Sequence, residues 1–92
     1  MDIRHQITGH GGRFVAGEAD SEAEMTYGWR DDRTVVFDHT FVPQTLRGRG
    51  IAGALVKAGV DWARQEGLKV VPQCSYVAAE FARKADYREI AA

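Results

Sequence analysis

The chain has a single cysteine, Cys74, and only two prolines, Pro43 and Pro72, in 92 residues. One cysteine cannot close an internal disulfide. This excludes a disulfide-stapled scaffold and a cysteine-rich zinc module, and a reducing, cytoplasmic setting is expected. Charge of one sign is also missing, because 12 basic residues stand against 13 acidic ones for a formal net charge of −1. A protein that binds nucleic acid through phosphates carries a basic excess on one face, so no nucleic-acid partner is expected. No apolar run is long enough to cross a bilayer, and no basic segment leading into an apolar stretch follows Met1. Neither a membrane span nor a secretory signal is therefore expected. His5, His10, His39 and Cys74 lack the spacing of metal ligands, and no metal is expected. Repeats and linkers are absent. What the chain does have is apolar content, 45% of its residues, enough at this length for one core but not two. Residues 1–92 read as one small domain.

The hydrophobic period divides the chain in half. Ile3, His5 and Ile7 alternate with Arg4, Gln6 and Thr8, as in a half-buried strand. Gly9-His10-Gly11-Gly12 signals a turn, and residues 13–18 read as the returning strand. A third strand alternates Ala23, Met25, Tyr27 and Trp29 with Glu22, Glu24, Thr26 and Gly28. Asp31-Asp32 then turns the chain into residues 34–42, apolar at nearly every position and so expected to be covered on both faces. From Gly50 to Glu66 the spacing of Ile51, Leu55, Ala58 and Trp62 becomes helical, with Lys57 and Asp61 as an i, i+4 pair and Gly67 as the stop. Residues 68–72 form a fifth strand, parallel to the fourth because a crossover helix separates them. Ser75 is the expected N-cap of a last helix burying Val77, Ala78, Phe81 and Ala85. The order β-β-β-β-α-β-α predicts an α+β fold: a four-stranded antiparallel meander, a helix, a fifth strand parallel to the fourth, and a short C-terminal helix.

The most informative stretch is Arg47-Gly48-Arg49-Gly50-Ile51-Ala52-Gly53, between the fourth strand and the long helix. Glycines let the backbone approach a ligand closely, and the helix start offers unpaired N–H groups and a positive dipole end, an arrangement suited to a pyrophosphate. Arg47 and Arg49 add charged donors. A Walker A loop would need Gly-Lys-Ser/Thr where Gly50-Ile51-Ala52 stands. Gly48, Gly50 and Gly53 spell G-x-G-x-x-G, but position 73 is Gln where a dinucleotide fold needs an acid, and the preceding strands form a meander.

This loop, following a strand and opening an amphipathic helix, resembles the pyrophosphate loop of the GCN5-related N-acetyltransferases, [Arg/Gln]-x-x-Gly-x-[Gly/Ala], matched by Arg47, Gly50 and Ala52. More narrowly, residues 38–83 look like the small single-domain YidJ-like acetyltransferases, through His39-Thr40 before the loop and Pro72, Cys74, Tyr76 and Val77 after the fifth strand. The resemblance implies a minimal form of that fold, acetyl-coenzyme A as acetyl donor and an amine as acceptor. It places the pyrophosphate on residues 47–53 and the pantetheine amides along Phe41 and Val42. Two departures stand out. Only Gly9–Gly12 separates the first two strands, where larger members have helices that wall the acceptor site. Phe81-Ala82 also replaces the Phe-Tyr pair whose Tyr protonates the departing thiolate.

Cys74 precedes a helix start, where the dipole favours thiolate. The resemblance puts the thioester near it. With His39 on the neighbouring strand it can be nucleophile and base through an acetyl-cysteine. Alternatively the amine attacks directly, His39 takes its proton, and Cys74 only lines the pocket. Two function classes are expected, an N-acetyltransferase acting on a small molecule or protein, and a coenzyme A-binding module with little transferase activity.

Overall fold

The computed structural model describes residues 2–18 and 20–92. Four strands, β1 (Ile3–Thr8), β2 (Gly11–Glu18), β3 (Ser21–Asp31) and β4 (Thr34–Phe41), form an antiparallel meander. A short 3-10 turn at Gln44–Leu46 leads to helix α1 (Ile51–Gln65), which crosses over so that β5 (Lys69–Pro72) lies parallel to β4. Helix α2 (Ser75–Arg83) and a last helical turn, α3 (Ala85–Arg88), follow. The sheet order is β1-β2-β3-β4-β5, so the expected α+β fold is the one observed.

The core lies on one face of this sheet. Phe14, Met25, Tyr27 and Phe37 project from the strands against Leu55, Val56 and Val60 of α1, and Val77 and Phe81 of α2 complete the same cluster. Ile51 and Leu55 are buried as the helical period predicts, while Ala58 and Trp62 are only half-buried and Val56, Gly59, Val60 and Ala63 complete the buried face. The opposite face carries a charged ladder. Arg4 pairs with Glu22 at 3.0 Å, and Arg13 reaches Glu24 at 2.8 Å and Glu22 at 3.3 Å. Val15 stands in register with Arg4 and Glu24 on that face and is fully buried among them.

Five expectations about local structure are corrected. β4 is covered on one face only: Val35 and Phe37 are buried, Val36 is half-buried and Phe41 is 48% exposed. Helices α1 and α2 both pack on the face of Val35 and Phe37, and no helix among the described residues covers the other. Ile7 is 73% exposed, because β1 is the edge strand of the sheet. Gly11 and Gly12 belong to β2 rather than to the turn. Gly11 pairs with Gly28, and any Cβ there would run into the Tyr27 carbonyl. The N-cap of α2 is Cys74, not Ser75. Finally, α2 stops at Arg83 because Lys84 is extended. Ala85 is consequently exposed, and Tyr87 is the residue that enters the core.

Candidate functional site

The segment between β4 and α1 has its shape set by two glycines. Gly48 and Gly50 adopt φ of 81° and 72°, a left-handed conformation that costs residues bearing a Cβ about 1–2 kcal/mol. A Cβ at either position would meet nothing within 4 Å. The backbone path, not packing, calls for glycine here, and the space above is open. Gly50 is the N-cap of α1, no side chain caps this helix start, and its first turn contains no acidic residue. The N–H groups of that turn therefore have no intrahelical partner and point outward at the positive end of the helix dipole, as an anion requires.

A cavity of about 180 Å³ lies over this helix start. Val42 borders it at the strand end, Gly48 and residues 50–53 form its floor, and Tyr76 of α2 closes one side. Arg47 also lines it and donates from Nε to the Val42 carbonyl at 3.0 Å, which ties the end of the loop to its beginning. The structure thus gathers Val42, Arg47, Gly48, Gly50, Ile51, Ala52 and Gly53 around one space. Arg49 is exposed beside it, and Phe41 pairs with Glu24 away from the cavity. Tyr76, which was not among the expected cofactor-binding residues, also lines the cavity, and its sequence signal was its place in the run Pro72, Cys74, Tyr76, Val77 that carries the family resemblance.

Next to the cavity, β4 and β5 part. Their parallel register runs from Thr34↔Lys69 to Phe37↔Pro72 and ends there. The Cys74 N–H donates to the Phe37 carbonyl at 3.0 Å and fixes the point of divergence. At the same level β4 carries a bulge, since Thr26 pairs with His39 but Tyr27 pairs with Phe37, leaving Asp38 as an extra residue. The bulge reverses the alternation. Thr40, opposite the buried Met25, turns to the core face, while His39, opposite Thr26, turns to the helix-free face and is exposed.

Cys74 therefore meets Thr40 and not His39, with the Thr40 hydroxyl 3.4 Å from its Sγ. Burial alone would raise the pKa of this thiol. The Thr40 hydroxyl outweighs it, together with the N–H groups of Val77, Tyr76 and Thr40, and the thiol is held below its ordinary value. His39 and Cys74, expected as a base–nucleophile pair, lie on opposite sides of β4. Among the described residues no group of three or more His, Cys, Asp and Glu side chains converges to hold a metal, and no helix is long and apolar enough to cross a membrane.

Known proteins resemble this chain in sequence and in fold. The proteins named NATD1 from Xenopus tropicalis and Homo sapiens are each 42% identical to this chain over 55 residues, or 60% of the chain and 50% and 49% of theirs. The chain thus spans about half the length of these curated relatives. The NMR solution structure of a GCN5-like protein from Staphylococcus aureus superposes with a TM-score of 0.72 at 27% identity, covering 97% of this chain and 87% of that one. The sequence model described as GCN5-related N-acetyl-transferase matches residues 13–90. With fold, loop and match in agreement over most of its length, the chain belongs to the GCN5-related N-acetyltransferase family.

Proposed function

We propose that residues 1–92 act as one small acetyltransferase domain, moving an acetyl group from acetyl-coenzyme A to an amine of a small molecule or protein in the reducing setting of the cytoplasm. The observation that carries this reading is the uncapped start of α1 under an open cavity, with two left-handed glycines and no acid in its first turn. That start takes the pyrophosphate. The pantetheine runs past Val42 and Tyr76 toward the gap between β4 and β5. There the β4 backbone at Phe41 and Val42 is left without a β5 partner and offers amide hydrogen bonds in the manner of an added strand.

At the gap two routes are open. In the first, the Cys74 thiolate attacks the thioester carbonyl, coenzyme A leaves as a thiolate and takes up a proton, and the acceptor amine then cleaves the acetyl-cysteine. In the second, the amine attacks the thioester directly from the helix-free face and gives its proton to His39, which the bulge places on that side. The lowered thiol pKa and the Thr40 contact support the first route. The separation of His39 from Cys74 supports a base acting on the acceptor rather than on the thiol.

The second reading is a coenzyme A-binding module with little transferase activity. It is favoured by Phe81-Ala82 standing where a proton-donating Tyr is usual, and by a sheet face that carries charged residues instead of an acceptor wall. Intact mass measurement after mixing with acetyl-coenzyme A and a panel of amines separates the readings. Acetylated amine supports the enzyme, with or without an adduct on Cys74 of about 42 Da, the mass gained when an acetyl group replaces a proton on the nucleophile. Binding without either product supports the module, and no binding overturns both.

A further inference from the structure

Among the described residues, Glu80 is the one charged side chain withdrawn from solvent, at 2% exposure. It lies one helical turn beyond Tyr76 on α2 and faces the first turn of α1. A Cβ placed on Gly53 would be 3.5 Å from Glu80 Oε1 and 3.5 Å from the Tyr76 hydroxyl. A lone carboxylate behind an anion-binding helix start would oppose the anion. Glu80 is not alone. Arg83 pairs with it, and Lys84 Nζ stands 3.6 Å from Oε1, so the group carries one negative and two positive charges. Lys84 is held a second time, with Nζ 5.1 Å from the centre of the Tyr87 ring. Arg83 is 67% exposed, and a guanidinium has more donors than a single carboxylate can use.

Helix α2 also gives these residues an order. From Cys74 at its cap to Arg83 in its last turn the axis advances about 14 Å. Along that line come the thiol, then Tyr76 at the cavity, then the Glu80 group against the first turn of α1, then the exposed Arg83. A coenzyme A lying with its thioester at Cys74 and its pyrophosphate on α1 carries its remaining charge, the 3′-phosphate, at the far end. Tethering a cation there in advance lowers the entropy lost when it meets an anion. Resting on the reading that this loop holds a pyrophosphate, we propose that Arg83, positioned by Glu80 and supported by Lys84, reads the 3′-phosphate of the donor and selects coenzyme A over its 3′-dephospho form.

Calorimetric titration of the full chain with coenzyme A and with dephospho-coenzyme A tests this, in wild type and in Arg83→Gln. In the variant Lys84 still pairs with Glu80, so the buried carboxylate keeps a partner. Wild type should favour coenzyme A by about tenfold at low salt, and less as salt rises. In Arg83→Gln the preference should fall to about twofold or less while the affinity for the dephospho form stays at the wild-type value. Equal wild-type affinities, a preference retained in the variant, or equal loss of both ligands would each overturn the assignment to Arg83. Binding of neither form by wild type would overturn the loop reading, and this inference with it.

Discussion

The Thr40 hydroxyl and the Cys74 thiol face each other at 3.4 Å across the gap where β4 and β5 diverge. Neither residue would be there without the bulge at Asp38, which turns Thr40 toward the core face, or the Cys74 N–H bond to Phe37, which holds the start of α2 against β4. A half-buried thiol in apolar surroundings would ordinarily be inert. This one is surrounded by donors that favour its ionised form. Thr40→Val keeps the shape and removes the hydroxyl. The pH profile of Cys74 alkylation should therefore shift toward higher pH in the variant, with slower modification at neutral pH. Superimposable profiles for the two proteins would show that the hydroxyl does not tune the thiol.

The loop glycines allow a sharper test of ligand placement. Gly50→Val puts a branched side chain at φ 72° and into the open space where the pyrophosphate is proposed to sit. Coenzyme A binding should fall below detection in calorimetry, while the far-ultraviolet circular dichroism keeps its native shape. Wild-type affinity in this variant would remove the ligand from the loop.

Arg47 and Arg49 are both exposed, so their contribution should be electrostatic and screened. Arg47→Ala and Arg49→Ala should each weaken binding by about 1–3 kcal/mol at low salt, the range for hydrogen bonds to a charged group. Arg47 also donates to Val42, so its variant should keep a salt-independent part of the loss that Arg49→Ala lacks. Identical salt dependence for the two would argue against that structural role.

Much of this site was legible in the sequence because its signals are local. Gly48, Gly50 and the arginines lie within one heptapeptide, and their conformation depends on the loop itself. The relation of His39 to Cys74 was not legible. Simple alternation along β4 puts His39 on the face of Val35 and Phe37, and one extra residue, Asp38, sends it to the other. Nothing in residues 34–42 announces that insertion, because a bulge is settled by pairing with β3 rather than by the strand's own composition. Glu80 was missed for a related reason. Three residues after Val77, it sits at the flank of the apolar stripe, and the close crossing of α2 over Gly53 buries it.

At the far end of the sheet His5 stacks on Phe14, with ring centres 4.2 Å apart and planes 13° from parallel, and its Nε2 is 2.7 Å from the Tyr27 hydroxyl. Burial holds its pKa below the ordinary imidazole value. The unfolded chain then takes up the proton first as pH falls, so this contribution to stability is intact above about pH 6.5 and is lost as pH drops through the lower folded value. Urea midpoints should decrease from neutral to mildly acidic pH, and His5→Gln should flatten that dependence. A variant with the wild-type slope would assign the titration to another group.

The two chemical routes part most clearly in a pair of alanine variants. If an acetyl-cysteine forms, Cys74→Ala should lose turnover by orders of magnitude, and Cys74→Ser should also fail, since a serine hydroxyl is scarcely ionised near neutral pH. Both variants should still bind coenzyme A, because the proposed phosphate loop belongs to a different segment. His39 lies across β4 from the thiol and is proposed to act on the acceptor in either route. His39→Ala should therefore slow release of product without preventing the acetyl adduct on Cys74. Under direct attack the pattern inverts: Cys74→Ala keeps most of its activity, no adduct forms in wild type, and His39→Ala is the severely slowed variant. The donors gathered around the thiol favour the first pattern, since a cysteine that only lined the pocket would gain nothing from a lowered pKa. Undiminished turnover in Cys74→Ala, with any amine that wild type acetylates, would eliminate the acetyl-cysteine route.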